Sequence, residues 1–121
     1  MPTKVRLHCS TYVNDSTPIL IGGFQEDSAY SEKTYLFNGT DWSDGPTLIE
    51  GRNGHSCARI SQNGSSQAFS VIVVGGYNFY SGGHMSSVEI LDEGASAWRP
   101  GPGNCLRKKH KIKFNKLHRY C

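Results

Sequence analysis

Long hydrophobic runs are missing from this sequence. Its longest aliphatic stretch, Val71-Ile72-Val73-Val74, falls far below the ~20 residues of a membrane-spanning helix. The opening residues, Met1-Pro2-Thr3-Lys4-Val5-Arg6, contain no apolar core of the ~7–15 residues that marks a secretory leader. A cytoplasmic location is therefore expected. Cysteine is also sparse: Cys9, Cys57, Cys105 and Cys121 form no Cys-x-x-Cys pair and are too few for a disulfide-dense scaffold. Residues 1–103 show no helix-length apolar period of 3.6 with caps. These absences exclude membrane-spanning, collagen-like and knottin-like classes.

What is present fits a single β-rich domain. The chain has 121 residues, of which 36% are hydrophobic, enough to build a core. Its net charge of +3 hides a division. Arg107, Lys108, Lys109, Lys111, Lys113, Lys116 and Arg119 crowd the last fifteen positions without a single acid, whereas residues 1–106 carry more acids than bases. A boundary is expected near Gly103-Asn104, followed by a disordered basic tail over 104–121. Such a tail offers anionic polymers or membranes only weak, non-specific contact. A competing reading lets Ile112, Phe114 and Leu117 cover an open sheet face.

Within the body the sequence repeats. Ile19-Leu20-Ile21-Gly22-Gly23 returns as Ile72-Val73-Val74-Gly75-Gly76, 53 residues later. Trp42 returns as Trp98 at an offset of 56, each followed by a Gly-Pro, and His8 returns as His55 at an offset of 47. Polar insertions around Ser61–Ser66 absorb the differences in spacing. Each unit reads as four short strands. The continuously apolar runs suit strands buried on both faces. Asn38-Gly39 and Asp92-Glu93-Gly94 supply hairpin turns.

A hydrophobic run ending in Gly-Gly, then a spaced strand, then a Trp resembles the kelch repeat, which recurs every ~50 residues. Gly22, Gly23, Tyr35 and Trp42 carry the likeness in the first unit, and Gly75, Gly76 and Trp98 in the second. Glu89 stands where the first unit has Tyr35. The resemblance implies an all-β fold: a partial kelch-type β-propeller of two four-stranded antiparallel blades, over residues 5–51 and 52–103. Propellers close with about 4–8 blades, so the chain is expected to be a fragment or truncated member. Its uncapped blade faces are then expected to favour self-association.

Function on such a scaffold is carried by loops. The resemblance places partner-contacting residues after the glycine pairs and in the linker between blades. Those positions are Phe24, Gln25, Tyr77, Asn78, Phe79, Arg52 and Asn53. The expected role is a non-catalytic module that binds a protein or peptide, with no cofactor and no metal. The alternative is a fragment of a secreted or galactose-oxidase-like kelch enzyme, which needs copper ligands converging from several blades. His8 and His55 recur in register and are expected to stabilise turns. Cys9 and Cys57 are expected on inner strands as small buried apolar residues. Asn14, Asn38 and Asn63 begin glycosylation sequons, but all three sit in turn-forming sequence, where Asn is favoured for its own hydrogen bonding.

Overall fold

The computed structural model describes residues 5–26, 28–61 and 68–101. The expected basic tail, with Ile112, Phe114 and Leu117, and the polar turn containing Asn63 lie outside the described residues.

Each apolar run becomes the second strand of a four-stranded antiparallel sheet. In the first sheet β2 (Cys9–Tyr12), β3 (Pro18–Ile21), β5 (Thr34–Phe37) and β6 (Trp42–Asp44) lie in that order. In the second, β7 (Ser56–Ser61), β8 (Phe69–Val74), β11 (Val88–Asp92) and β12 (Arg99–Pro100) repeat the arrangement. Two short ribbons complete the fold: β1 (Val5–Arg6) pairs with β4 (Phe24–Gln25), and β9 (Tyr77–Asn78) with β10 (Gly83–His84). No α-helix occurs among the described residues, and no helix there is long and apolar enough to cross a membrane.

Three backbone hydrogen bonds recur at equivalent positions in the two units. Gly22 N–H donates to the Lys33 carbonyl as Gly75 N–H does to Ser87. Ser31 N–H reaches Gly23 as Met85 N–H reaches Gly76, and Gly45 N–H reaches Thr34 as Gly101 N–H reaches Val88. Both glycine pairs hold positive φ, 61° and 99° in the first and 69° and 101° in the second. A Cβ on Gly23 would sit 2.8 Å from the Arg6 carbonyl oxygen, and one on Gly76 2.9 Å from that of Asn53. Glycine is required there both by conformation and by the close approach of the incoming strand.

The sheets stack face to face. Ile19, Ile21 and Leu36 from the first meet Val71, Val73, Leu91 and Trp98 from the second, with Leu48 of the linker between them. Because side chains alternate along a strand, Ile72 and Val74 point away from this interface. They join Val88, Ile90, Ala58 and Ile60 in a second cluster. That outer face was expected to lie open. Its four central side chains are instead buried, none above 7% exposure. Burial on both faces is why the Val71–Val74 run of β8 is continuously apolar rather than alternating.

Cys9 and Cys57 are not the separate buried thiols that the sequence led us to expect. They form a disulfide between the inner strands of the two sheets, with Cα atoms 6.0 Å apart. The reason is register. Cys9 follows His8 directly, whereas Ser56 intervenes between His55 and Cys57, so Cys9 pairs with Ile21 but Cys57 pairs with Val73. Ile21 corresponds to Val74, not Val73, so one residue of offset turns the two sulfurs to opposite faces of equivalent strands. In a stacked repeat those opposite faces look at each other. Closing a loop across 48 positions should stabilise the fold by about 2–4 kcal/mol. Adding dithiothreitol should therefore lower the urea midpoint of the native chain, and leave that of a Cys9→Ser/Cys57→Ser variant unchanged. Equal responses would exclude a stabilising disulfide.

Candidate functional site

The ends of both sheets that carry the glycine pairs also carry the linker and the two short ribbons. All seven candidate residues lie there, but they divide into two groups. Gln25, Arg52 and Asn78 are buried at 8% exposure or less. Their polar groups are used in hydrogen bonds inside the protein. Gln25 Nε2 donates to Ser31 Oγ (3.1 Å), which in turn accepts from the Lys33 N–H (3.0 Å). Asn78 Nδ2 donates to the Gly51 carbonyl (2.7 Å), and its Oδ1 accepts the Tyr80 N–H (3.0 Å).

Arg52 is wholly buried. Its Nη2 meets Glu89 Oε2 at 2.7 Å and Ser87 Oγ at 3.0 Å, while Nη1 donates to the Gly75 and Ser87 carbonyls. Glu89 completes its own shell with the N–H groups of Ile49 (2.6 Å) and Glu50 (3.2 Å). The guanidinium fork thus fastens the linker to the start of β11 through several charge-assisted bonds. Glu89, the one departure from the repeat at the Tyr35 position, is the counterion that makes a buried arginine tolerable. That mismatch was the sequence signal for a structural role.

Phe24, Asn53, Tyr77 and Phe79 form the other group. Arg6 lies over the Phe24 ring, with its guanidinium carbon 4.5 Å from the centroid. Asn53 pairs with Tyr77 through both backbone groups (3.1 and 2.8 Å) and donates its side-chain amide to the Ala29 carbonyl. Phe79 begins a 3₁₀ turn, Phe79–Ser81, held at one end by the Asn78 side chain and at the other by Gly82, whose φ is 101°. The turn lifts Phe79 and Tyr80 to 66% and 86% exposure. Tyr30 of the first sheet's loop approaches Tyr77 at 6.0 Å and Tyr80 at 5.9 Å between centroids, and His84 stands edge-on to Tyr77 at 5.1 Å.

Tyr80, Tyr30 and His84 were not among the candidates. Tyr77, Asn78 and Phe79 flagged the region, but only the stacking of two loops brings Tyr30 to it. Beside this aromatic platform runs an open groove of about 470 Å³, lined by Glu50, Ser81, His84, Met85, Ser86 and Ser87. A smaller cleft of about 240 Å³ opens at the opposite end, between Val13, Leu36, Val71 and Leu91. Among the described residues no three His, Cys, Asp or Glu side chains converge as a metal-ligand set.

His55 was expected to stabilise a turn; it bonds the carbonyl that ends β3. It is buried, and its Nε2 meets the Ile21 carbonyl at 2.8 Å, so that nitrogen carries the proton while the buried Nδ1 has no hydrogen-bond partner. Burial holds its pKa down at about 4, from an ordinary 6.5; Arg52 and His8 add to the effect and the Ile21 bond opposes it. His8 itself is exposed, with its Cβ against Gly23. The unfolded chain takes up the His55 proton near pH 6.5 and the folded chain only near 4, so acid favours unfolding in between. Stability should be complete above pH 6.5 and fall by about 3 kcal/mol as the pH drops toward 4. Urea midpoints measured across that window should slope less in His55→Gln; identical slopes would exclude His55 as the source.

The sequons at Asn14 and Asn38 are exposed turns. Asn14 Oδ1 accepts the Ser16 N–H (2.9 Å), and Asn38 Oδ1 accepts those of Thr40 (2.9 Å) and Asp41 (2.8 Å). Asn63 lies outside the described residues. The chain matches no protein-family model and no curated protein.

Proposed function

We propose that this chain comprises two neighbouring blades of a kelch-type β-propeller and serves as a non-catalytic module that binds a protein partner through its loops. One observation carries this reading: a repeated sheet pair presents a capped turn whose aromatic rings are turned out to solvent. Protein interiors normally claim such rings, and aromatic side chains are frequent anchors of protein interfaces. The matched hydrogen bonds of the two units, the inner-to-outer strand order and the face-to-face stacking all favour the propeller assignment. The Cys9–Cys57 disulfide favours an oxidising compartment over the cytoplasmic location read from the sequence.

The test is a photo-crosslinking scan of the full chain in cells that express it. A photoreactive phenylalanine at position 79 should yield a crosslinked protein band. The same probe at Asn38, in a turn at the far end of the first sheet, should yield none. Equal crosslinking from both ends would remove the loop face as the binding surface.

A further inference from the structure

We propose that the platform of Tyr77, Phe79 and Tyr80, with the Glu50 groove beside it, docks an arginine-bearing segment of a partner protein; this rests on the interaction-module reading above. The repeat itself points to the missing chemistry. In the first unit Arg6 pairs with Phe24 across the β1–β4 ribbon and lays its guanidinium over that ring. In the second unit the equivalent pair is Asn53 with Tyr77. Asparagine supplies no cation. Among the described residues no arginine or lysine lies over Tyr77, Phe79 or Tyr80. The second unit thus keeps the ring, multiplies it along the 3₁₀ turn, and leaves out the guanidinium that the first unit carries within the chain.

Charge points the same way. Among the described residues nine carboxylates face five cations, and Arg52, Arg59 and Arg99 are already paired with Glu89, Asp15 and Asp92. Arg6 and Lys33 remain against six acids, of which Glu50 lines the groove. Stacking of a guanidinium on an aromatic face is favourable even at exposed sites and strengthens where water is displaced. The backbone of the turn that carries the rings is held in advance by Asn78 and Gly82, so little backbone freedom is lost when a partner arrives.

The probes are a fluorescein-labelled peptide of alternating arginine and serine and its twin with citrulline, which has the same shape without the charge. Fluorescence anisotropy on the full chain should show the arginine peptide binding about tenfold more tightly than the citrulline peptide, with the difference shrinking as salt rises. Phe79→Ala/Tyr80→Ala should remove most of that preference while leaving the thermal melt unchanged, because both rings are exposed. Glu50→Gln should weaken binding about threefold and flatten its salt dependence. Equal binding of both peptides, lost in the double variant, would overturn the arginine assignment and leave the module reading standing. Arginine-peptide binding that survives the double variant would place recognition elsewhere and overturn it too. So would concentration-dependent self-association abolished by the same substitutions, which assigns the surface to a second copy. If neither peptide binds while the probe at position 79 still captures a partner, this proposal fails alone; if both experiments are blank, the module reading falls with it.

Discussion

Arg52→Met should lower the unfolding free energy by about 3–5 kcal/mol, because it leaves Glu89 buried and charged without its counterion. Few single substitutions in a protein of this size should cost as much, since a small domain commands only about 5–15 kcal/mol in all. The loss is not that of a surface ion pair: the side chains of Arg52 and Glu89 are 0% and 3% exposed. A double variant separates this cause from simple loss of packing. Arg52→Met/Glu89→Met should recover part of the stability, since no uncompensated charge remains, although the N–H groups of Ile49 and Glu50 then lose their acceptor. Denaturant titrations of the parent and both variants test these outcomes. A double variant no more stable than the single one would show that the methionine fails for reasons of shape.

Trp98→Ala should cost a comparable amount, about 3–5 kcal/mol. The indole is 5% exposed, packs among Ile19, Ile21, Val71, Val73 and Leu91, and donates its Nε1–H to the Pro46 carbonyl at 2.9 Å. That carbonyl also accepts the Thr34 hydroxyl at 2.7 Å, so the ring ties the second sheet to the end of the first. Removing it opens a large cavity at the inter-sheet interface and takes away one of the two donors to Pro46. Trp42, its partner in the repeat, supplies the control. It is half-buried on β6 and rests mainly on Phe37, with centroids 5.0 Å apart. Its alanine variant should lose only about 1 kcal/mol. Melts followed by far-ultraviolet circular dichroism should therefore separate the two variants clearly. Similar midpoints would mean that Trp98 does not hold the sheets together.

The repeat, the strand positions and the glycine pairs were legible in the sequence because each is set locally. A run such as Val71-Ile72-Val73-Val74 has one stable use in a small β protein, between two covered faces. Gly22-Gly23 and Gly75-Gly76 announce a backbone that other residues resist. The candidate site was readable only as a region. Arg52, Gln25 and Asn78 stand at the expected loop end, yet whether a polar side chain faces solvent or a buried carbonyl depends on which loop lies opposite. No local pattern encodes that.

What the sequence by itself determined is the pair of like all-β units, since strand period, turn residues and internal repetition act over a few positions. Only the tertiary structure decided that Glu89 neutralises Arg52, that Cys9 bonds Cys57, and that Tyr30 joins Tyr77 and Tyr80 across two loops. Each of these depends on stacking one sheet on the other. The register of that stack converts a single-residue difference, such as Ser56 between His55 and Cys57, into a change of face. The energies involved arise from burial shared between distant segments, so they come into being only once those segments meet.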